Sequence, residues 1–415
     1  MKVRDGYKMT ELGEVPEEWE VKKIEDACKT SSGGTPSRSN LSFYEGGSIP
    51  WIKTGELNKK YIFDTEEKIT EDALKNSSAK VVPPNTVLIA MYGATIGKTA
   101  ITKVKATTNQ ACCCLIPHKE IMEHEFLYYA LNYNKDSIIE MGSGAAQPNI
   151  SQELIKEYFL PIPPLPEQQR IAEILSSNDA LITKTDELIE KTKEIKQGLM
   201  QELLTKGIGH TEFKDSELGR IPKEWEIKKL GDLGEIITGS TPKTSDTDNY
   251  GNDYMWVSPA DMGTNKYVLK TKNMLSEKGF KLTRKLPRGS ILVTCIGSTI
   301  GKMGIAADIL STNQQINSII CSEKYNSEYV YYALNYRFIN YMDLVSTQAV
   351  PIINKTTFSS FEIIIPSLTE QLKIVSVLSV IDKKIDTLER RKHQLEEIKQ
   401  GLMQDLLTGR VRVIL

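Results

Sequence analysis

The sequence lacks a long apolar run and lacks an excess of basic residues. It has 52 Lys and Arg against 54 Asp and Glu, a formal net charge of −2, so any nucleic-acid binding must come from local patches or partner proteins. No stretch approaches the ~20 apolar residues of a transmembrane helix, and residues 1–20 are too polar for a signal peptide. These absences argue against a membrane or secreted protein, and we expect a cytoplasmic one.

Cysteine and histidine are too few and too scattered for a disulfide framework or a metal centre. Cys112, Cys113 and Cys114 are consecutive, and neighbouring side chains of a strand point to opposite faces. Three such thiols cannot converge on one ion without breaking the strand. We predict that no metal is bound and that these cysteines are small buried hydrophobes.

Catalytic and cofactor motifs are also missing. The stretch "MYGATIGKT" approaches a phosphate-binding P-loop, but Gly93 and Gly97 enclose only three residues where four are needed. There is no Gly-x-Gly-x-x-Gly loop, and "IPPL" at 162–165 lacks the polar and aromatic ends of an amino-methyltransferase motif. The sequence therefore predicts a non-catalytic protein.

What the chain does contain is an internal repeat. "ELGEVPEEWEVKKIEDA" from Glu11 returns as "ELGRIPKEWEIKKLGDL" from Glu217, an offset of 206. "YGATIGKTAI" returns as "IGSTIGKMGI", "EFLYYALNY" as "EYVYYALNY" and "IKQGLMQELLT" as "IKQGLMQDLLT", while the offset drifts only to 203. The shared glycine turn with its lysine is interpreted either as a nucleic-acid backbone contact or as a plain hairpin with a solvated lysine.

Each copy divides into a globule and a long helix. Short β-like runs and brief helical stretches, punctuated by Gly, Pro, Ser and Asn, predict an α+β globule of about 150 residues. Residues 167–204 and 370–407 then have helical periodicity without proline. Gly207 and Gly409 follow these helices, where left-handed caps are expected.

Heptad positions can be assigned along both helices by taking Ile171 as position a. Polar residues then occupy central a sites in the first helix and central d sites in the second, so an antiparallel pairing lets apolar residues meet apolar ones. We predict an antiparallel coiled coil about 57 Å long; the alternative is that each helix packs on its own globule. The predicted packing residues are Ile171, Ile174, Leu181, Leu188, Ile195, Leu199, Ile374, Val377, Ile381, Leu388, Leu395, Ile398 and Leu402.

The duplicated "LGxxPxxWExxxL/I" opening, the "GxTP" turn and the "P-L-x-E-Q-x-x-I" start of a helix ending "KQGLMQxLLTxG" resemble one known family. They are similar to the DNA specificity (S) subunit of type I restriction–modification enzymes, over nearly the whole chain. The resemblance implies target recognition domains at 1–165 and 208–368, each reading half of a bipartite, asymmetric DNA site. It also implies a central helix at 166–207 and a distal helix with a C-terminal tail at 369–415.

The resemblance further implies which partners and cofactors are needed. Two modification (methyltransferase) subunits would dock on the helices, restriction (endonuclease and translocase) subunits would join them, and double-stranded DNA would be the ligand. S-adenosylmethionine, ATP and Mg²⁺ would belong to those partners and not to this chain. Two other hypotheses stay open here: a scaffold that binds only proteins, and a solitary nucleic-acid enzyme with a degenerate motif.

DNA-contacting residues are expected mainly on loops where the two copies diverge, because direct readout needs polar side chains presented to base edges. The segments after each "TP" turn and after Trp51 and Trp256 meet that condition. The candidates are Thr35, Ser37, Arg38, Asn40, Lys53, Asn58, Lys59, Lys60, Tyr92, Lys98, Thr241, Lys243, Asn249, Ser258, Asp261, Asn265, Lys266 and Lys302.

Overall fold

The computed structural model describes residues 3–142, 149–263, 265–342 and 351–413. The chain forms two compact units: unit 1 contains Met1–Asp186 and Arg390–Leu415, and unit 2 contains Glu187–Glu389. Both unit boundaries fall within long helices, so each unit includes part of each long helix.

Unit 1 is an α+β globule with a five-stranded sheet at its centre. Its helices are α1 (Ile24–Ala27), α2 (Glu71–Lys75), α3 (His124–Tyr133), α4 (Lys135–Met141), α5 (Gln152–Glu157) and the first part of α6 (Leu165–Thr205). Its strands are β1 (Tyr7–Thr10), β2 (Gly13–Pro16), β3 (Glu20–Lys23), β4 (Cys28–Ser32), β5 (Ile49–Ile52), β6 (Tyr61–Ile62), β7 (Lys68–Ile69), β8 (Thr86–Ala90), β9 (Thr99–Thr102), β10 (Thr107–Thr108), β11 (Cys112–Pro117) and β12 (Phe159–Ile162). The main sheet has the order β4-β11-β8-β9-β6, and a smaller one has the order β10-β5-β7.

Unit 2 repeats this topology. Its strands are β13 (Phe213–Ser216), β14 (Gly219–Pro222), β15 (Glu226–Lys229), β16 (Gly234–Thr238), β17 (Tyr250–Val257), β18 (Tyr267–Val268), β19 (Met274–Leu275), β20 (Ile291–Thr294), β21 (Met303–Ala306), β22 (Ser311–Thr312), β23 (Ile316–Cys321) and β24 (Glu362–Ile365). Its helices are α7 (Leu230–Leu233), α8 (Glu277–Lys281), α9 (Ser327–Met342), α10 (Lys355–Ser359) and the first part of α11 (Leu368–Leu407). The sheets have the orders β16-β23-β20-β21-β18 and β19-β17-β22, so the internal repeat predicted from the sequence is confirmed.

The cysteine triplet lies in β11, which pairs with β8 on one side and β4 on the other. Cys113 belongs to one apolar cluster, while Cys112 and Cys114 belong to a second. This alternation is the one expected of a strand buried on both faces. Burial raises the pKa of the Cys114 thiol to about 11, which keeps it protonated and inert.

The repeated "PxxWE" and "LxEQ" motifs join each globule to its long helix. In unit 1 the buried Trp19 donates its Nε1–H to Glu167 at 3.0 Å, and in unit 2 Trp225 donates to Glu370 at 3.0 Å. The next residue, Gln168, donates to the Ile121 carbonyl at 2.8 Å. The two motifs therefore recur because they fasten the first turn of a helix to its globule.

The helix ends follow the sequence signals. α6 has 41 residues and α11 has 40, each starting two residues before the predicted start. Gly207 and Gly409 have φ of +70° and +69°, which confirms the left-handed caps. Ser367 accepts from the Glu370 backbone N–H at 3.3 Å, but the Glu370 carboxylate serves Trp225 instead of completing a capping box.

The two long helices run antiparallel within each unit. In unit 1 Asp179 pairs with Lys399 at 2.6 Å and Asp186 with Lys392 at 2.7 Å, so numbers rise along one helix as they fall along the other. In unit 2 Lys196 pairs with Asp382 at 2.6 Å. These contacts confirm the predicted direction. Helix ends also pack on the globules, since Ile171 and Ile374 belong to the two main core clusters.

Five of the six apolar residues predicted at d positions were wrong, while the sixth, Ile174, is half-buried and packs against the unit 1 core. Leu181, Leu188, Ile195, Val377 and Ile398 are exposed to between 38% and 51%. The inward face instead uses the residue one step later, so Leu175, Ile189 and Leu378 are buried together with a positions such as Leu388. A seven-residue period permits steps of four then three as well as three then four. In these two helices the buried positions follow steps of four residues and then three.

Candidate nucleic-acid interface

The glycine-rich segments are tight hairpins between β8 and β9 and between β20 and β21. Gly93 and Gly97 have φ of +82° and +73°, and a Cβ on Gly97 would lie 2.9 Å from Ile139 Cδ1. Glycine is therefore required at this turn. The lysines that follow, Lys98 and Lys302, are exposed.

The "TP" turns have the same internal framework in both units. Trp51 donates its Nε1–H to the Gly34 carbonyl at 3.0 Å, and Trp256 donates to the Ser240 carbonyl at 3.2 Å. Thr35 donates its hydroxyl to the Gln110 side chain, as Thr241 does to Gln314. Two of these bonds in each unit fix the base of its divergent loop.

Unit 1 carries one exposed arginine, Arg38, on this framework, and its guanidinium is held by neighbouring side chains. The Arg38 guanidinium lies 4.8 Å from the Trp51 ring centroid and donates to Glu67 at 2.5 Å, while Lys53 Nζ lies 2.7 Å from Glu67. Hydrogen bonds from Arg38 and then Lys53 lower the pKa of Glu67. Arg38 is 53% exposed, so its stacked and oriented guanidinium is presented to solvent.

In unit 2 the residue beside the turn was missed by the sequence analysis. Arg284 donates from Nη1 to the Thr238 carbonyl at 2.6 Å, and its backbone N–H donates to Ser240 Oγ at 3.2 Å. It lies 44 residues beyond the turn in sequence, and only tertiary pairing brings it there. Its one sequence signal is its place in "LTRKLPR", which has three basic residues where the equivalent stretch of copy one, "SAKVVPP", has only Lys80.

Five of the predicted DNA-contacting residues use their side chains in internal hydrogen bonds, and for one of them, Asn249, burial contradicts the prediction. Asn249 is 1% exposed, and its amide donates to the Lys243 carbonyl at 3.2 Å. Asp261 accepts from both the backbone and the hydroxyl of Ser258, at 2.8 and 2.6 Å. Lys60 and Lys266 are held in buried polar networks described below.

The remaining candidates keep polar groups at the surface. Asn40 also caps a short helical turn through the Ser42 backbone N–H at 3.3 Å. The side chains that are exposed in the structure belong to Ser37, Arg38, Asn40, Asn58, Lys59, Tyr92, Lys98, Thr241, Lys243, Asn265 and Lys302, while Thr35 and Lys53 are half-buried.

The described ranges contain neither a metal centre nor a membrane-spanning helix. No group of three or more His, Cys, Asp or Glu residues there could hold a metal ion. No described helix is both long and apolar enough to cross a membrane.

Comparison with known proteins decides the family. The family described as "Type I restriction modification DNA specificity domain" matches residues 16–196 and 222–397. The chain belongs to this family. Membership confirms the predicted role as a DNA specificity subunit, a non-catalytic component that assembles with other restriction–modification subunits and with DNA. The family implies no cofactor of its own, and the protein-only scaffold is not favoured.

Relatives match over one or both copies. The type I restriction enzyme MjaVIII specificity subunit of Methanocaldococcus jannaschii is 29% identical over 96% of this chain and 94% of its own. The EcoR124I/EcoR124II specificity subunit of Escherichia coli is 32% identical over 47% of this chain and 48% of its own.

The fold is shared with a solved structure. The type I restriction–modification S subunit from M. genitalium has a TM-score of 0.62 at 15% identity, with 98% of both chains covered. This likeness concerns the fold, and it confirms the predicted architecture.

Proposed function

We propose that each unit reads one half of a bipartite, asymmetric DNA site. The observation that carries this proposal is one framework built twice with different loops on it. The Trp51 and Trp256 turns share their hydrogen bonds, whereas Arg38 lies over one tryptophan and Arg284 beside the other turn. Side chains that a common base presents from different positions recognise unlike base sequences.

Arg38 is the strongest reader in unit 1. Its stacking on Trp51 and its bond to Glu67 restrict the guanidinium to one orientation, which lowers the entropy lost on binding. An arginine so held can donate two parallel bonds to guanine O6 and N7. Lys59, Lys98 and Lys302 contact phosphates in this proposal, because exposed lysines carry charge without base selectivity.

Two modification (methyltransferase) subunits dock on the long helices, one in each unit. Residues 194–201 and 397–404 are identical, "EIKQGLMQ", although most of their side chains face solvent. In unit 2 this segment lines a groove of about 490 Å³ together with Asn335 and Tyr336, which belong to the identical "YYALNY" segments. A surface repeated without change suits a partner that binds twice.

Restriction (endonuclease and translocase) subunits complete the proposed assembly. S-adenosylmethionine, ATP and Mg²⁺ are bound by these partners, in keeping with the missing cofactor motifs of this chain. We place the complex in the cytoplasm.

A loop exchange tests the two-half proposal. Residues 35–62 are replaced by their counterparts 241–268, the chain is co-expressed with its modification subunit, and methylated sites are mapped. We expect one half of the site to change and the other to stay. The reciprocal exchange is the matched control and must alter the other half. A change in both halves, or in neither, contradicts the assignment of one half-site to each unit.

A further inference from the structure

A partly buried lysine links each recognition domain to the helix pair. In unit 1 Lys60 is the residue before β6, and its side chain is 13% exposed. Its Nζ donates to Glu125 at 3.1 Å, to the Tyr129 hydroxyl at 2.8 Å and to the Ser176 hydroxyl at 2.8 Å. Glu125 and Tyr129 belong to α3, whereas Ser176 belongs to α6. One ammonium group thus joins three elements.

The second long helix completes this network. Tyr129 donates its hydroxyl to Asp179 at 2.6 Å, and Asp179 pairs with Lys399 of α11 at 2.6 Å. We call the set Lys60, Glu125, Tyr129, Ser176, Asp179 and Lys399 the unit 1 lysine network. It connects the end of the candidate reading loop at 53–60 to both long helices.

Unit 2 contains the same network. Lys266 donates to Glu328 at 2.7 Å and to Tyr332 at 2.9 Å, and its Nζ lies 3.5 Å from Ser379 Oγ. Tyr332 donates to Asp382, which pairs with Lys196 at 2.6 Å. These six residues, the unit 2 lysine network, correspond one by one to those of unit 1, with the roles of α6 and α11 exchanged.

Stability alone does not explain such a network. Taking charges out of water is costly, and well-packed apolar residues of similar volume often stabilise a protein as well or better. Hydrogen-bonded charges instead fix the relative orientation of the elements that carry them, because each donor and acceptor must meet at a defined distance and angle. A lysine that bonds to α3 and a long helix together fixes the angle between the recognition domain and that helix.

We infer that Lys60 and Lys266 are positioning residues that set the spacer length the protein accepts between its two half-sites. The inference rests on the proposed bipartite reading. Each lysine holds its reading loop in one orientation on the helix pair. A site whose halves are one base pair closer together or farther apart therefore cannot align with both reading loops at once. Without the network each recognition domain pivots on its apolar contacts and tolerates the altered spacing.

The test uses the complex with its modification subunit and duplexes of identical half-sites with the mapped spacer, one base pair more or one fewer. We expect the wild type to lose affinity about tenfold or more for either altered spacer, the scale of one mismatched base pair. The double variant Lys60→Met with Lys266→Met should lose less than about threefold. Lys75→Met, an exposed lysine on α2, is the matched control and should retain the wild-type ratio.

A second variant separates positioning from folding. Tyr129→Phe with Tyr332→Phe removes one hydroxyl from each network and leaves the charges, so it should give an intermediate ratio. A folded double lysine variant with the wild-type ratio, or one weakened equally on all three spacers, overturns the inference while the bipartite reading stands. A wild type that binds all three spacers equally also overturns the inference, whereas the bipartite reading fails only if scrambling one half-site leaves binding unchanged.

Discussion

At the scale of single residues, two helical glycines reduce the stability of the fold and are therefore candidates for contact with a partner. Gly198 and Gly401 lie inside long helices, where glycine costs about 1 kcal/mol relative to alanine. A Cβ on either would meet no described atom within 4 Å. We predict that Gly198→Ala and Gly401→Ala each raise the free energy of unfolding by about 0.5–1 kcal/mol yet weaken binding of the modification subunit.

Denaturant unfolding and titration with the modification subunit measure the two effects separately. Ser177→Ala on the exposed side of α6 is the control, and it should change stability slightly without changing partner affinity. Undiminished partner binding by both glycine variants would contradict docking at the repeated segment.

Also at this scale, Glu125 gives unit 1 a predictable acid sensitivity. Burial alone would raise its pKa, but hydrogen bonds from Ser176 and Tyr61 and the charge of Lys60 outweigh burial and lower the pKa to about 2. The ordinary value is 4.5, so the carboxylate stabilises the fold above about pH 4.5, and this stabilisation is lost as the pH falls towards about 2.

We therefore predict that Glu125→Gln lowers stability at pH 7 and flattens the loss of stability between about pH 4.5 and 2. One proton taken up on unfolding changes the slope by at most about 1.4 kcal/mol per pH unit. Unfolding midpoints across this range measure it. Glu173→Gln, which changes an exposed carboxylate on α6, should keep the wild-type slope; an equal slope in Glu125→Gln would show that the network does not lower this pKa.

At the scale of elements, neighbouring apolar residues of α6 have opposite roles. Ile189 is 4% exposed and Leu188 is 43% exposed. We predict that Ile189→Ala lowers the free energy of unfolding of unit 2 by about 2–5 kcal/mol, because it leaves a cavity against α11. Leu188→Ala is the matched control and should stay within about 0.5 kcal/mol. Denaturant midpoints compare them, and equal losses would restore the heptad first assigned from the sequence.

The same elements show how far sequence reasoning reaches. The repeat, the helix bounds and the cap at Gly207 were predictable because each depends on local chemistry or on comparing the chain with itself. The buried face was not, since Leu188 and Ile189 are both apolar and either completes a seven-residue period. The site residues could not all be predicted, for the same reason. Lys59 and Lys60 are adjacent lysines in the sequence, and only the tertiary partners of Lys60 show that its side chain is largely withdrawn from solvent.

At the scale of the whole molecule, α6 and α11 are the segments that continue from one unit into the other, at 186–187 and 389–390. We therefore expect their length to set the distance between half-sites. Four residues inserted at both points lengthen each helix by about 6 Å and turn it by about 40° beyond a full turn. Two base pairs of B-DNA rise by about 7 Å and rotate by about 70°, so translation and rotation change in the same sense.

The double insertion should keep both half-site sequences and lengthen the spacer by one or two base pairs, as a methylation-site map of the assembled variant would show. An insertion of four residues also keeps the apolar stripe within about 40° of its original face, so the helix pair can still form. The control is an insertion in α6 alone. It shifts that helix against α11, so the Asp179–Lys399 and Lys196–Asp382 pairs cannot both form in register. This variant should have lower stability and no new defined spacer. An unchanged spacer in the double insertion would mean that the helices do not set the distance, and altered half-sites would mean that they also shape the reading loops.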